Sequence, residues 1–175
     1  IRHHARQQSP YFPVHQPAKV LYIDTELGWQ GCHERMLAFA ERHELAKLGS
    51  LGDIFTLVTQ VPKLKLHPLK GEKEGETSYD RLKNIIAERS PDVVVFDPLI
   101  EFHRVDENSS QFHIPLSNLS MLQSELGFVA IVLHHASGKD LYTQMGRKVV
   151  KDDIDKARGH SSLVGWADTV LVIER

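Results

Sequence analysis

Carboxylates and imidazoles stand at the ends of three apolar stretches of this sequence. Asp97 directly follows "VVVF", Asp24 and Glu26 follow "KVLYI", and His134 with His135 follow "FVAIVL". Carboxylate oxygens can hold Mg²⁺ through its water molecules, and an acid or an imidazole can orient an attacking water. These residue types predict a metal-assisted hydrolytic site, provided that the fold brings the three ends together.

The apolar stretches have the pattern of buried parallel strands. An uninterrupted apolar run between Ser-Pro and Pro, as in "SPDVVVFDP", is typical of a strand that is covered on both faces. The carboxyl ends of parallel strands share one edge of the sheet, where α/β proteins bind their ligands. Further strands are predicted at 54–59 and in "TVLVIE", helices near 30–48, 78–89 and 108–126, and a short helix or turn in "HSSLVGWA". This alternation predicts an α/β fold with a mostly parallel sheet between two layers of helices.

The 175 residues are predicted to form a single domain. Residues 1–18 are expected to be a lead-in loop, 61–77 a charged loop or short hairpin with high mobility, and 136–157 a mobile loop. The chain opens at Ile1 without a methionine and closes on a strand-like stretch, which favours an internal fragment truncated at its N-terminus.

Composition excludes several classes of protein. The single cysteine, Cys32, rules out an intrachain disulfide framework and fits a reducing compartment. No apolar run approaches the ~18 residues of a membrane span, and no signal peptide is recognisable, so a cytoplasmic protein without a membrane partner is expected. A net charge of −2 gives no sign of general nucleic-acid coating.

Simpler roles exist for the same residues. Asp24 and Asp97 could only cap turns after their strands. Side chains alternate along a strand, so His134 and His135 cannot both face one site. A catalytic zinc site would need three or four converging ligands, and no close His/Cys spacing supplies them.

Four segments taken together resemble the RecA-like P-loop ATPases, in particular the AAA_25-type subgroup around RepA-type replicative helicases. They are "KVLYIDTELGWQG", "PDVVVFDPLIEFHRVDENSS", "VAIVLHHASGK" and "ARGHSSLVGWADTVLVIER". The similarity extends over about residues 11–175. It implies a RecA-like three-layer αβα sandwich, ATP and Mg²⁺ as cofactors, and a homo-oligomeric ring, with a hexamer as one size. It also implies DNA as a partner.

The resemblance assigns roles to individual residues. Asp97 matches the Walker B aspartate, which binds Mg²⁺ through water, and Glu26 matches the glutamate that polarises the attacking water. His135 occupies the position of a residue that senses the γ-phosphate. Asp24 and His134 would lie beside the nucleotide.

Residues outside these strands receive weaker assignments from the same resemblance. Arg158 would be an arginine finger projecting into a neighbouring subunit, with a solvated loop charge as the alternative. Glu101, His103 and Arg104 would contact substrate or the adjacent subunit, unless they belong to a simple surface loop. The loop at 136–157 falls where relatives face DNA, although its own acids favour a plain linker.

The sequence departs from these ATPases in one respect. It contains no G-x-x-x-x-G-K-[ST] stretch, whose glycine amides and lysine would hold the phosphates. In relatives that segment and its strand precede "KVLYID", and the strand lies between those of "VAIVLHH" and "TVLVIE". We therefore expect this polypeptide alone to bind ATP weakly and to be inactive, with an open edge on its fourth strand. Two alternatives stay open: a non-hydrolysing regulatory or assembly module, and a metal-dependent hydrolase that uses Asp24, Glu26, Asp97 and His135.

Overall fold

The computed structural model of the protein describes residues 17–42, 54–59, 64–103, 105, 109–134 and 162–171. The strands are β1 (Val20–Asp24), β2 (Phe55–Thr59), β3 (Val93–Asp97) and β4 (Val129–Val132). The helices are α1 (Gly28–Arg42), α2 (Ser78–Arg89), α3 (His113–Leu126) and α4 (Ser162–Trp166). Two 3₁₀ segments, Leu99–Phe102 and Ser110–Phe112, lie between β3 and α3.

The strands form one parallel sheet in the order β2-β1-β3-β4. The connection from β1 leads to β2 at one edge of the sheet, and the connection from β3 leads to β4 at the opposite edge. Helix α1 lies on one face, whereas α2 and α3 pack on the opposite face. The predicted α/β class, with helices on both faces of a parallel sheet, is confirmed.

One face of the sheet, here called the packed face, carries the hydrophobic core. Leu21, Ile23, Val94 and Phe96 point to it, and each is at most 1% exposed. Apolar residues of α2 and α3 cover them, namely Leu82, Ile86, Leu116, Leu119 and Leu122. Each such side chain contributes roughly 1.5–3 kcal/mol by leaving water, so this face holds the described part of the fold together.

The other face, here called the open face, is less completely covered. Of the residues in α1, only Cys32 is buried, and a cavity of about 500 Å³ separates the helix from β1 and β2. On β4, Val129 and Ile131 are 61% and 49% exposed, and β4 is an edge of the described sheet. An open edge at the fourth strand was expected from the sequence.

The predicted mobile segment at 61–77 is in fact anchored where the structure describes it, from residue 64 onward. Leu64 and Leu66 are core residues with at most 2% exposure. The Leu66 amide donates to the Phe102 carbonyl at 2.8 Å, and the Asn118 side chain donates to the Leu66 carbonyl at 2.7 Å. The prediction gave weight to the charged residues and missed the alternation in "LKL", which places both leucines on one side.

The same segment ends in a well-capped helix. The Thr77 side chain accepts a hydrogen bond from the Asp80 amide, and the Asp80 carboxylate accepts one from the Thr77 amide, which completes a capping box. The carboxylate of Glu72 accepts hydrogen bonds from the Ser78 and Leu69 amides, and these lower the pKa of Glu72 to about 2. The helix predicted near 78–89 is confirmed.

Two other predicted elements differ from the structure. The fifth strand, in "TVLVIE", is not formed over residues 169–171, and Leu171 is 72% exposed. A strand needs a hydrogen-bonded neighbour, and none lies beside this stretch among the described residues. Helix α1 begins at Gly28 instead of Gln30, and the predicted end near Leu48 lies outside the described residues.

The predicted lead-in over 1–18 lies outside the described residues, apart from Pro17 and Ala18. The predicted loop over 136–157 lies outside them completely.

Candidate functional site

The carboxyl ends of β1 and β3 lie side by side. Asp24 and Asp97 are register partners, and each is the last residue of its strand. The chain leaves β1 toward α1 on the open face and leaves β3 toward α3 on the packed face, so the two exits diverge here. Ligands of α/β sheets bind at such a switch point, because the diverging loops leave a crevice between them.

Asp24 is buried and bonded to the start of helix α1. It is 1% exposed, and its carboxylate accepts hydrogen bonds from the Leu27 amide at 3.1 Å and the Gly28 amide at 3.0 Å. An aspartate in this position satisfies amides that the helix leaves unpaired. These contacts agree with the simpler role that the sequence allowed for Asp24, which is to cap the turn after its strand.

Cys32 lies close to that carboxylate. Burial, followed by a hydrogen bond to Asp24, raises the pKa of the Cys32 thiol to about 11. The thiol is therefore protonated at neutral pH and is a poor nucleophile.

Asp97 is held at its backbone and at its side chain. The Thr25 amide and hydroxyl donate to the Asp97 carbonyl oxygen at 3.0 and 3.1 Å, which joins the exits of β1 and β3. The Tyr22 hydroxyl donates to the Asp97 carboxylate. Burial and this bond raise the pKa of Tyr22 above its ordinary value. The phenol therefore keeps its proton, and remains a hydrogen-bond donor, throughout the physiological pH range.

Glu26 and His134 lie beyond the ends of β1 and β4. Glu26 is exposed and lies two residues after Asp24. The Leu133 amide donates to the Phe96 carbonyl at 3.0 Å, and the Leu133 carbonyl accepts from the Leu99 amide at 2.8 Å. These bonds bring the residue before His134 to the end of β3. The structure thus brings Asp24 and Asp97 together and leaves Glu26 and His134 on the segments that continue from the same edge.

His135, Arg104 and Arg158 lie outside the described residues. Their predicted roles remain predictions.

His103, which was expected either to contact substrate or the adjacent subunit or to lie on a simple surface loop, is instead buried. It is 4% exposed, and its ring lies 4.9 Å from that of Phe112 in an edge-on contact. Its Nδ1 lies 3.0 Å from the Val105 carbonyl oxygen. A carbonyl can only accept, so Nδ1 carries the proton. Burial lowers the pKa of His103 to about 4, and the ring is neutral at pH 7.

Sequence reasoning missed Tyr22 and Thr25. Tyr22 lies two residues before Asp24, so the alternation of a strand places both on the same face. That signal was present in "YID", but a tyrosine in an apolar run is more often a core residue. The Thr25 amide and hydroxyl bond to the Asp97 carbonyl, and no pattern of residue types in the sequence predicts such a contact.

Mg²⁺ fits this edge better than a metal that needs a complete protein cage. Mg²⁺ keeps several waters and uses one or two carboxylates together with substrate phosphates, and Asp97 supplies a hard carboxylate oxygen at a ligand-binding position. Across the described ranges, no group of three or more His, Cys, Asp or Glu residues is arranged to hold a metal ion. A zinc-type centre therefore gains no support from this part of the chain.

A four-stranded parallel sheet with helices on both faces is the architecture of a P-loop nucleoside-triphosphatase domain of the RecA-like type. The family model AAA_25, described as an AAA domain, matches residues 3–140, and the chain belongs to that family. It is therefore an AAA-type, ATP-using nucleotide-binding domain.

A search of curated proteins gave no match. Within the described ranges, no helix is both long enough and apolar enough to cross a bilayer.

Proposed function

We propose that this chain forms the acidic side of a Mg²⁺-dependent ATP-hydrolysis site in a RecA-like motor ATPase of the replicative-helicase type. The observation that carries the proposal is the pairing of Asp24 with Asp97 at the sheet's switch point, in a chain of the AAA_25 family. Nucleotides bind at such points in α/β sheets, and ATP hydrolysis needs carboxylates near the phosphates.

Asp97 and Glu26 have different tasks in this proposal. Asp97, fixed at the end of β3, holds Mg²⁺ through a water molecule. Glu26 is exposed on the segment after β1, where its carboxylate accepts hydrogen bonds from the attacking water and orients it. Asp24 keeps the start of α1 in place beneath them through its bonds to the Leu27 and Gly28 amides. Bound Mg²⁺ supplies positive charge that offsets the charge on the phosphates.

The remaining parts of the proposal rest on the family resemblance. His135, with His134 beside it, senses the γ-phosphate, and Arg158 reaches the nucleotide of a neighbouring subunit. That arrangement requires a homo-oligomeric ring, and DNA is the proposed track. Sedimentation of the purified protein with ATP, and its hydrolysis rate with and without DNA, test these parts.

The central test is ATP hydrolysis by the full chain as the gene encodes it. We expect Asp97→Asn and Glu26→Gln each to lower kcat by about a hundredfold or more, since each removes a carboxylate that acts on the metal or on the water. The matched control is Asp92→Asn. Asp92 precedes β3 at the opposite edge of the sheet, where its carboxylate accepts from the Lys19 amide at 2.7 Å, and an asparagine oxygen can still accept that bond.

Equal hydrolysis by the wild type and both site variants would overturn the assignment. Nucleotide binding without turnover in the wild type would instead favour the regulatory-module alternative. Mg²⁺- or Mn²⁺-dependent hydrolysis of other esters without ATP would favour the metal-hydrolase alternative.

A further inference from the structure

The side chain of Tyr22 contacts the proposed magnesium-binding residue, Asp97. Tyr22 lies on β1 opposite Val95 of β3, and its hydroxyl reaches two residues along β3 to donate to the Asp97 carboxylate. Tyr22 and Asp97 point to the open face, because Tyr22 shares a side with Asp24 and Asp24 pairs with Asp97. The contact therefore links two adjacent strands at the switch point.

The ring of Tyr22 is held from the side. It lies 6.4 Å from the ring of Phe55 on β2, measured between centroids, and it forms part of the wall of the cavity beneath α1. A phenol has one donor hydrogen, and in this position that hydrogen is directed at a carboxylate oxygen. A hydrogen bond of this kind to an ionised acceptor is shorter and stronger than one between neutral groups.

A carboxylate that holds Mg²⁺ through water must keep a fixed orientation. Mg²⁺ demands near-ideal octahedral geometry, and groups that hydrogen-bond to a ligand's carboxylate set its direction. Loss of a supporting bond to a directly ligating residue typically lowers metal affinity or activity by about 10- to 100-fold, and a smaller loss is expected for a carboxylate that binds through water. Asp97 has two oxygens, and a donor fixed on one of them leaves the other to face the metal's water.

We propose that Tyr22 is a positioning residue for magnesium, holding one oxygen of the Asp97 carboxylate so that the other can receive Mg²⁺-bound water. This inference rests on the proposed function, because it needs Asp97 to bind Mg²⁺. It adds a residue whose only contribution is a hydroxyl hydrogen bond from the neighbouring strand.

The test compares two quantities in the full chain: the Mg²⁺ dependence of ATP hydrolysis, and the Mg²⁺ affinity of the ADP-bound protein measured by calorimetric titration. Tyr22→Phe removes the hydroxyl and keeps the ring against Phe55. We expect the Mg²⁺ concentration for half-maximal rate to rise about three- to tenfold, with a smaller change in KM for ATP at saturating Mg²⁺. A purely structural role would instead lower the melting temperature without moving the Mg²⁺ midpoint.

The matched control is Tyr79→Phe. Tyr79 is a half-buried tyrosine of α2 that packs against the core on the packed face, away from Asp97. We expect its Mg²⁺ midpoint to equal that of the wild type.

Two unnatural residues at position 22 keep the test decisive even if Tyr22→Phe does not fold. p-Aminophenylalanine restores a donor at the para position and should return the Mg²⁺ midpoint toward the wild-type value. p-Methylphenylalanine fills the volume of the hydroxyl without a donor and should behave as Tyr22→Phe is expected to.

The outcomes separate this inference from the proposed function. If Asp97→Asn abolishes hydrolysis while Tyr22→Phe and p-methylphenylalanine leave the Mg²⁺ midpoint unchanged, the positioning role is wrong and the ATPase assignment stands. If Asp97→Asn leaves hydrolysis unchanged, the ATPase assignment fails and the role of Tyr22 fails with it.

Discussion

The two faces of the sheet differ in how they are stabilised. The packed face places Leu21, Ile23, Val94 and Phe96 under two helices and leaves each at most 1% exposed. The open face carries the Tyr22–Asp97 hydrogen bond, the Asp24 cap and a cavity of about 500 Å³. Polar groups of the candidate site occur where packing is least complete, because a carboxylate that must meet a ligand cannot be sealed in an apolar core.

The largest expected effect comes from creating a cavity on the packed face. Phe96→Ala should lower the free energy of unfolding by about 3–5 kcal/mol. The Phe96 ring is fully buried and packs edge-on against the ring of Phe102, with 5.1 Å between the ring centroids. The matched variant on the open face is Ile131→Ala, on the neighbouring strand β4.

Ile131 is 49% exposed, so its truncation should cost less than about 1 kcal/mol. Urea unfolding of both variants measures the difference. Equal losses at Phe96 and Ile131 would show that the two faces are packed alike in solution.

A smaller effect is expected from the cap of α2, a helix of the packed face. Thr77→Ala removes the side chain that accepts from the Asp80 amide and should cost about 1 kcal/mol. Thr77→Ser keeps the hydroxyl and serves as the control. Chemical denaturation gives both values, and a Thr77→Ala variant as stable as Thr77→Ser would mean that the capping box contributes nothing.

The smallest effect is a pH dependence due to His103. Its folded pKa of about 4 is below the ordinary 6.5, so the unfolded chain binds more protons between these values. The contribution is complete above about pH 6.5 and is lost as the pH falls toward 4. We expect the loss between pH 7 and 5 to be on the order of 1 kcal/mol.

Two histidine variants isolate that dependence. His103→Asn keeps a donor for the Val105 carbonyl and removes the titrating ring, so its stability should fall less steeply between pH 7 and 5. His33→Gln, on the exposed side of α1, should leave the slope of the wild type unchanged. Melting temperatures across this pH range measure both, and identical slopes for wild type and His103→Asn would remove His103 from the explanation.

Local patterns predicted the secondary structure well where they were strong. The apolar run before Asp97 is β3, the run before Asp24 is β1, and the helix predicted near 78–89 is α2, which begins after the Thr77 cap. These succeeded because strand burial and helix capping depend on residues that are neighbours in sequence. The anchoring of Leu64 and Leu66 was missed, since it depends on α3 and the 3₁₀ segment after β3, which lie far along the chain.

In the candidate site, too, some residues were identified from the sequence and others only from the structure. The acids at the strand ends were identified from the sequence, and parallel strands bring such ends to one edge, as the register of Asp24 with Asp97 bears out. The burial of His103 and the donor role of Tyr22 were not identified. Each depends on a contact with a residue on another element, Phe112 for the first and Asp97 for the second.

The sequence by itself determined the four strands of the described sheet, where helix α2 begins, and which acids stand at the carboxyl edge. Periodicity, capping and strand direction act over a few residues, and they are written in the order of the chain. Only the tertiary structure decided that Tyr22 bonds to Asp97, that Asp24 caps α1, and that one face is packed while the other stays open. Those outcomes depend on which strands become neighbours and which helix crosses which face, and long-range packing sets both.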